Sequence, residues 1–121
     1  EQIIIHKKYN AELYSKYLDK SKYVLPKVPD GYRHSWQSYH ILVKNSKRDK
    51  LIEFLRTENI YLNYGAQCIP SLDYYVKKYN LDSKKLFPNA YKSYVEGLVL
   101  PLSEDYREDI TCKIIEILNN F

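Results

Sequence analysis

Segments of helical and strand-like periodicity alternate along this chain, and this alternation constrains its fold more than any other feature. The order is helix, strand, helix, strand, helix, helix, strand, helix. Such an order predicts an α/β (α+β) sandwich, in which helices pack on a small sheet. The connections are short, so we expect mostly antiparallel strand pairing. The 121 residues suit a single domain.

The first predicted helix covers residues 3–19, where apolar residues recur every four positions. These residues are Ile5, Tyr9 and Leu13, followed by Tyr17 and Leu18. No capping residue precedes Ile3, the chain begins at Glu1, and it contains no Met. We therefore expect a piece of a longer protein, with residues 1–19 as the remainder of an interdomain helix. Prolines and a glycine then predict an extended loop over residues 24–33.

A strand and a helix are predicted next. Residues 36–43 are rich in aromatic and β-branched side chains, which favours a strand. Asn45 or Ser46 is expected to cap a helix over residues 47–57, with Asn59 as its left-handed stop. The buried stripe of this helix is predicted to consist of Leu51, Ile52 and Leu55.

A second strand is predicted over residues 60–64, and Gly65 breaks it. Pro70 suits the first position of a helix over residues 71–79. A lysine-rich loop follows, and Pro88 can open a further helix that ends before Gly97.

The end of the chain is predicted to form a strand and a helix. Residues 98–101 form a short apolar strand that Pro101 stops. Ser103 is expected to cap the last helix, with Glu104 and Asp105 in its first turn, where carboxylates favour the helix dipole. The core face of that helix is predicted to comprise Tyr106, Ile110, Ile114, Ile117 and Leu118.

Residue types alone indicate no self-contained active site. His6, His34 and His40 are far apart and belong to no zinc-binding spacing, so no metal site is expected. Three glycines, none clustered, make no phosphate-binding loop. Cys68 precedes a predicted helix, where a thiolate would be favoured, but without a partner it is interpreted as a packing residue.

The composition indicates the cellular setting. Two cysteines make no disulfide framework, and neither a signal pattern nor an apolar run of about 20 residues occurs, so we expect a cytoplasmic protein with no membrane partner. The net charge of +4 and 14 tyrosines would also suit a stand-alone RNA-binding module, in which aromatic rings stack on bases. No RNP-like motif supports that alternative, and its lysines are scattered. A non-catalytic α/β remnant is a third interpretation.

In sequence the chain resembles the C-terminal part of the DegT/DnrJ/EryC1/StrS aminotransferases, the sugar-modifying branch of fold-type I pyridoxal-phosphate enzymes. Four stretches in the family's order carry the resemblance, which covers about residues 3–118. They are residues 9–13 (YNAEL), 34–43 (HSWQSYHILV), 48–60 (RDKLIEFLRTENI) and 87–102 (FPNAYKSYVEGLVLPL).

The resemblance implies a function shared with a missing N-terminal domain. Such enzymes use pyridoxal 5'-phosphate to pass an amine from an amino acid to a keto-sugar linked to a nucleotide. They are usually homodimers. The family places the Schiff-base lysine and most cofactor ligands in the large N-terminal domain, so no catalytic residue is expected here. Lys7, Lys8 and Lys44 are interpreted as surface charges.

The resemblance also implies substrate-binding residues in this domain, which would close the active-site cleft. Many members place histidines in the loop after the second strand, but this chain has Gly65 and Pro70 there. Tyr64 and Gln67 could substitute as hydrogen-bonding groups. His34 and Gln37, at the start of the first strand, are the other two candidates.

Overall fold

The computed structural model describes residues 1–104 and 107–121. Three strands lie among six α-helices and one 3-10 turn in this described part. In chain order the elements are α1 (Gln2–Tyr17), β1 (Tyr23–Val24), β2 (Tyr39–Val43), α2 (Arg48–Thr57), the 3-10 turn Ile69–Ser71, α3 (Asp73–Tyr79), α4 (Ser83–Leu86), α5 (Pro88–Glu96), β3 (Gly97–Leu100) and α6 (Glu108–Asn120).

The three strands form one antiparallel sheet in the order β1-β2-β3, which confirms the predicted fold class. In its register, Tyr23 of β1 pairs with Val43, and Tyr39 of β2 pairs with Leu100. Alternate residues of a strand point to opposite faces of its sheet. Tyr39, Ile41 and Val43 are buried, so one face of β2 carries the core.

The core lies between that face of the sheet and helices α1, α2 and α6. Tyr14 of α1 packs against Tyr39, with ring centres 5.2 Å apart, and its hydroxyl donates to the carbonyl of Pro101 at 3.0 Å. The Tyr23 hydroxyl donates to the carbonyl of Leu118 at 2.7 Å. The largest fully buried aliphatic side chains are Ile41, Leu51, Leu55, Leu98, Leu100 and Leu118. Each buried tyrosine hydroxyl thus has a carbonyl or hydroxyl partner, as burial of a polar group requires.

Several sequence predictions are confirmed. Helix α1 lies within one or two residues of its predicted bounds, and α5 begins at Pro88 and ends before Gly97. Leu51 and Leu55 are buried and Ile52 is partly buried, as the stripe predicted. Asn59 has a φ of 59°, and the Ile60 amide donates to the Leu55 carbonyl at 2.8 Å, which is a left-handed helix stop.

Two predictions around the first strand were wrong. Trp36 has a φ of 52°, so the chain turns there and the strand begins only at Tyr39. Asn45 and Ser46 have φ values of 62° and 55°, and neither caps α2, whose N-cap residue is Lys47. A left-handed pair makes a tight turn between strand and helix, so neither side chain lies at the cap position.

The predicted strand over residues 60–64 does not form. Only Asn63 bridges to the sheet, where its carbonyl accepts from the Val99 amide at 2.9 Å. This isolated bridge adds one contact at the outer edge of β3, and it is too short to make a strand. Pro70 lies in the 3-10 turn, and α3 starts later than predicted, at Asp73. The predicted lysine-rich loop contains α4, which Asp82 caps by accepting from the Lys85 amide.

The last helix begins later than the sequence indicated. Ser103 and Glu104 precede α6, whose N-cap residue is Arg107, while Asp105 and Tyr106 lie outside the described residues. Its core face is Thr111, Ile114, Ile115 and Leu118, with Ile117 partly buried and Ile110 exposed. The Thr111 hydroxyl donates to the Asn10 side-chain oxygen at 3.1 Å, which places Thr111 rather than Ile110 against α1.

Candidate functional site

The loop over residues 64–67 brings two predicted site residues together. The Gln67 amide nitrogen donates to the Tyr64 hydroxyl at 3.3 Å. Gly65 between them has a φ of 78°, and the Ala66 amide donates to the Tyr64 carbonyl at 2.9 Å. The tight turn at Gly65, which a side chain would strain, thus lets Tyr64 and Gln67 meet.

The same glycine allows the loop to lie directly on the sheet. A Cβ atom at Gly65 would lie 2.1 Å from Val99 Cγ2 and 3.2 Å from His40 Cδ2. Gly97 lies closer still to the imidazole, since its Cβ would lie 2.6 Å from His40 Nε2. The His40 ring is therefore packed between two glycines. Its Nε2 is buried and has no hydrogen-bond partner within the described chain.

The guanidinium group of Arg48 packs against the ring of Tyr64. The Arg48 side chain is buried, and one guanidinium nitrogen donates to the carbonyls of Tyr94 at 3.0 Å and Gly97 at 3.1 Å. The guanidinium carbon lies 5.6 Å from the centre of the Tyr64 ring, within the range of a cation–π contact. The Tyr94 ring meets Tyr64 edge-on at 5.7 Å. The Tyr64 ring is therefore positioned by a cation and by a second aromatic ring.

Sequence reasoning did not identify Arg48 or Tyr94 as site residues. Arg48 stood in the sequence only as the first letter of a helix motif, with an exposed acid beside it. No signal in the sequence marked Arg48 as buried, because its ion pair with the adjacent Asp49 is seen only in the structure. The contact with Tyr64 could not be predicted either, because it joins residues from three separate segments.

His34 and Gln37 lie elsewhere. The His34 Nδ1 accepts from the Trp36 amide at 2.8 Å, and its ring packs on Trp36 at 4.2 Å. Trp36 in turn stacks on Tyr39, which belongs to the core face of β2. His40, which packs against Gly65, points to the opposite face. The structure thus places the loop with Tyr64 and Gln67 on the His40 side of the sheet, and His34 beside Trp36 on the Tyr39 side. Gln37 is exposed, two residues before the start of β2.

The lysines considered from the sequence all have surface partners. Lys44 Nζ donates to the Lys20 carbonyl at 2.7 Å. Lys7 and Lys8 lie 3.7 Å from the carboxylates of Glu104 and Glu12.

Other candidate chemistry is absent from the described residues. Cys68 is buried and Cys112 is exposed, and both are free thiols. No group of three His, Cys, Asp or Glu side chains comes together among residues 1–104 and 107–121. Over the same residues, no helix has both the length and the apolar character to cross a membrane.

A family model describes nearly the whole chain. The model of the DegT/DnrJ/EryC1/StrS aminotransferase family matches residues 1–119. The chain belongs to this family. The resemblance seen in the four sequence stretches is thereby confirmed. No curated protein shows a significant match to the chain.

Solved structures of the family share the fold. The proposed sugar aminotransferase Spr1654 from Streptococcus pneumoniae, in its PMP form, matches 98% of this chain with a TM-score of 0.84 and 20% identity. A DegT DnrJ EryC1 StrS aminotransferase from Brucella abortus matches 98% with a TM-score of 0.76 and 24% identity. The aminotransferase TlmJ from Streptoalloteichus hindustanus matches 97% with a TM-score of 0.80 and 19% identity.

These matches cover only part of the solved proteins. The chain spans 30% of the length of Spr1654 and 31% of the Brucella and TlmJ structures. Spr1654 has been solved in PLP and PMP forms. At these identities the likeness establishes the fold, and it does not establish a substrate.

Proposed function

We propose that this chain is the C-terminal small domain of a pyridoxal-phosphate-dependent aminotransferase that acts on a nucleotide-linked keto-sugar. One observation carries the proposal. The fold matches 98% of this chain but 30% of Spr1654, so the chain corresponds to one compact part of a larger enzyme. Amino-sugar synthesis for a cell-surface polysaccharide, in the cytoplasm, is the corresponding role.

The described residues do not by themselves fit the cofactor. A pyridoxal phosphate site needs an amine in a closed cleft, a carboxylate for the pyridine nitrogen and an anion cradle. Here Lys7, Lys8 and Lys44 have surface partners, and the glycines form no cradle. We therefore assign the Schiff-base lysine and the phosphate ligands to the N-terminal domain, and this chain should be inactive alone.

The contribution of this domain is to wall the cleft and to bind polar groups of the substrate. Ligand sites commonly lie at domain junctions. Tyr64 accepts a hydrogen bond from Gln67 through its hydroxyl oxygen and can donate its own proton to a ligand. Gln67 is exposed and carries a carbonyl oxygen as well. This pair can satisfy a sugar hydroxyl or a nucleotide group where many relatives use histidines.

Pro70 lies where the family often has the second of those histidines. It cannot donate a hydrogen bond, so that contact is lost or passes to Gln67. His34 lies beside Trp36 on the other face of the sheet, and Gln37 follows Trp36 in the chain and is exposed, so these two residues would serve a separate contact. The amino-acid donor, commonly glutamate in this family, would bind beside the cofactor. A homodimer of the complete protein is the expected assembly.

The mass and the spectrum of the natural gene product test this proposal. We expect a product about three times longer than this chain, which after addition of pyridoxal phosphate shows an internal-aldimine absorbance band that borohydride abolishes. A natural product of this length without such a band would contradict the enzymatic role. It would leave the RNA-binding module or the non-catalytic remnant, which salt-sensitive RNA binding would distinguish.

A further inference from the structure

Residues 69–87, which we call the tyrosine arm, expose an unusual amount of apolar surface. In this fully described stretch only Ser83 is buried. The exposed large apolar side chains of the arm are Ile69, Leu72, Tyr74, Tyr75, Tyr79, Leu86 and Phe87. Contiguous apolar patches on soluble proteins commonly mark interaction sites.

The two helices of the arm have little packing against the rest of this chain. Helix α3 has seven residues and α4 has four, and neither buries a large apolar side chain. Isolated helices below about 12 residues are marginal in water, and helices in proteins depend on packing of an apolar face. Ser71 and Ser83 join the two ends of the arm by a hydrogen bond of 2.7 Å, and Cys68 anchors its base in the protein. The arm thus buries little apolar surface within this chain, and a covering surface would stabilise its helices.

The exposed rings are already arranged as a platform. Tyr75 and Tyr79 stack with centres 6.2 Å apart and planes 12° apart, and Tyr74 meets Tyr75 edge-on at 5.1 Å. The Lys78 ammonium lies 5.2 Å from the Tyr74 ring and 5.3 Å from the Tyr79 ring. Tyrosines with few rotatable bonds give contact area at low entropic cost, which is typical of interfaces.

We propose that the tyrosine arm is the docking surface for the large N-terminal domain of the same polypeptide, an inference that rests on the proposed function. Most of the length of the related enzymes lies outside this chain, so a large covering surface is expected in the complete protein. The arm begins two positions after Gln67, so it continues the wall of the proposed cleft. A domain tethered to the arm has a high effective concentration, which favours it over a free partner.

The charged residues of the arm indicate which charge a surface that binds it should carry. Its four lysines, Lys77, Lys78, Lys84 and Lys85, are exposed and outnumber its two carboxylates, Asp73 and Asp82, so the arm carries a net positive charge. Interfaces commonly combine an apolar centre with a charged rim of complementary sign. The arm therefore fits an apolar patch with an acidic border on the large domain.

Site-specific photo-crosslinking in the complete protein tests the proposal. The change Tyr79→p-benzoylphenylalanine places a crosslinker on the arm. The matched control is Lys50→p-benzoylphenylalanine, at an exposed position of α2. We expect Tyr79 to crosslink within one chain, to a peptide from the N-terminal domain, far above the control. A crosslinked dimer would overturn the proposal in favour of a second copy. A yield equal to the control would overturn it in favour of an open surface.

A stability comparison provides the second measurement. In the complete protein, Tyr79→Asp should lower the thermal midpoint clearly more than Tyr32→Asp, because Tyr32 is 75% exposed and lies outside the arm. Equal shifts would contradict docking of the arm. The aldimine absorbance band of the complete, unsubstituted protein distinguishes the docking hypothesis from the proposed function. A band without the crosslink refutes only the docking surface, and a crosslink without the band refutes only the proposed function.

Discussion

The guanidinium group of Arg48 lies under the ring of Tyr64, with 5.6 Å between its carbon and the ring centre, and the same group bonds two carbonyls at the junction of α5 and β3. The contact ties the candidate site to the start of a sheet strand. It joins the motif at the start of α2 to a loop 16 positions later, counting from 48 to 64.

Arg48→Met should therefore destabilise the domain. The change keeps the length of the side chain but leaves the Tyr94 and Gly97 carbonyls without their donor. An unsatisfied buried group costs about 1–3 kcal/mol, so we expect a loss of about 2–4 kcal/mol in the free energy of unfolding. Urea denaturation measures it. Arg56→Met, on the exposed side of the same helix, should change stability by less than about 0.5 kcal/mol. Equal losses for the two variants would refute the role of Arg48.

Gly65→Ala and Gly31→Ala separate packing from backbone strain. Both glycines have positive φ values, 78° and 83°, so both variants should lose about 1–2 kcal/mol through the left-handed backbone. Only at Gly65 would the new methyl group collide, with Val99 Cγ2 at 2.1 Å, whereas nothing lies within 4 Å at Gly31. We expect a further loss of about 1–3 kcal/mol at Gly65. Val99→Ala should recover part of that further loss in a double-mutant cycle, and complete additivity would contradict the collision.

Tyr64→Phe and Gln67→Ala should weaken sugar-nucleotide binding in the complete enzyme. Each removes part of one hydrogen-bonded pair, so each should raise KM about 2- to 10-fold, as expected for one hydrogen bond. The double variant should lose less than the product of the two effects, because the partners are coupled. The aldimine absorbance should not change. Gln2→Ala, at an exposed position of α1, is the comparison variant, and an equal effect there would contradict a role of the Tyr64–Gln67 pair in binding.

Alkaline pH should destabilise the fold through its buried tyrosines. Burial, with a smaller effect of Asp19, raises the pKa of Tyr23 to about 12, and burial also raises the pKa values of Tyr14 and Tyr39. A raised pKa in the folded state contributes stability that is complete below the unfolded pKa of about 10. That contribution is lost as the pH rises to about 12. Urea midpoints between pH 9 and 12 should fall less steeply for Tyr23→Phe than for Tyr32→Phe, and parallel slopes would refute the assignment.

The two thiols should differ in reactivity. Cys112 is exposed and Cys68 is 2% exposed, so a thiol reagent should modify one cysteine rapidly in the native protein and the second only on unfolding. Ellman's reagent with and without urea measures this. In Cys112→Ser no fast phase should remain. A persistent fast phase would contradict both the burial of Cys68 and its interpretation as a packing residue.

Local signals predicted those elements whose boundaries depend on one residue. Pro88 begins α5 and Asn59 ends α2 because a ring-locked φ and a left-handed φ act on the backbone at their own positions. The predictions failed where contacts with residues distant in the chain determine whether a segment joins the sheet. The segment around Asn63 has strand-like composition, but it contacts the sheet at one bridge and then turns at Gly65.

The candidate site divides in the same way. Tyr64 and Gln67 were predicted because the family resemblance places substrate-binding histidines in this loop and these two side chains could substitute for them. Their separation from His34 could not be predicted, since it depends on which face of β2 each segment packs against. The contributions of Arg48 and Tyr94 could not be predicted either, because both reach Tyr64 from other elements.

The sequence by itself determined the fold class, the family, the positions of α1, α2 and α5, and the presence of a polar pair at the Gly65 turn. These features follow from periodicity, from residues that restrict their own backbone, and from motifs in a given order. It did not determine the order of the strands, because β1 was not predicted and the strand predicted over residues 60–64 does not form. Only the tertiary structure decided the late start of α6, the His40 ring packed between two glycines, the support of Tyr64 by Arg48 and the exposure of the tyrosine arm. Each depends on packing between segments distant in the chain, and side-chain volume and hydrogen-bond geometry act there only once the fold has formed.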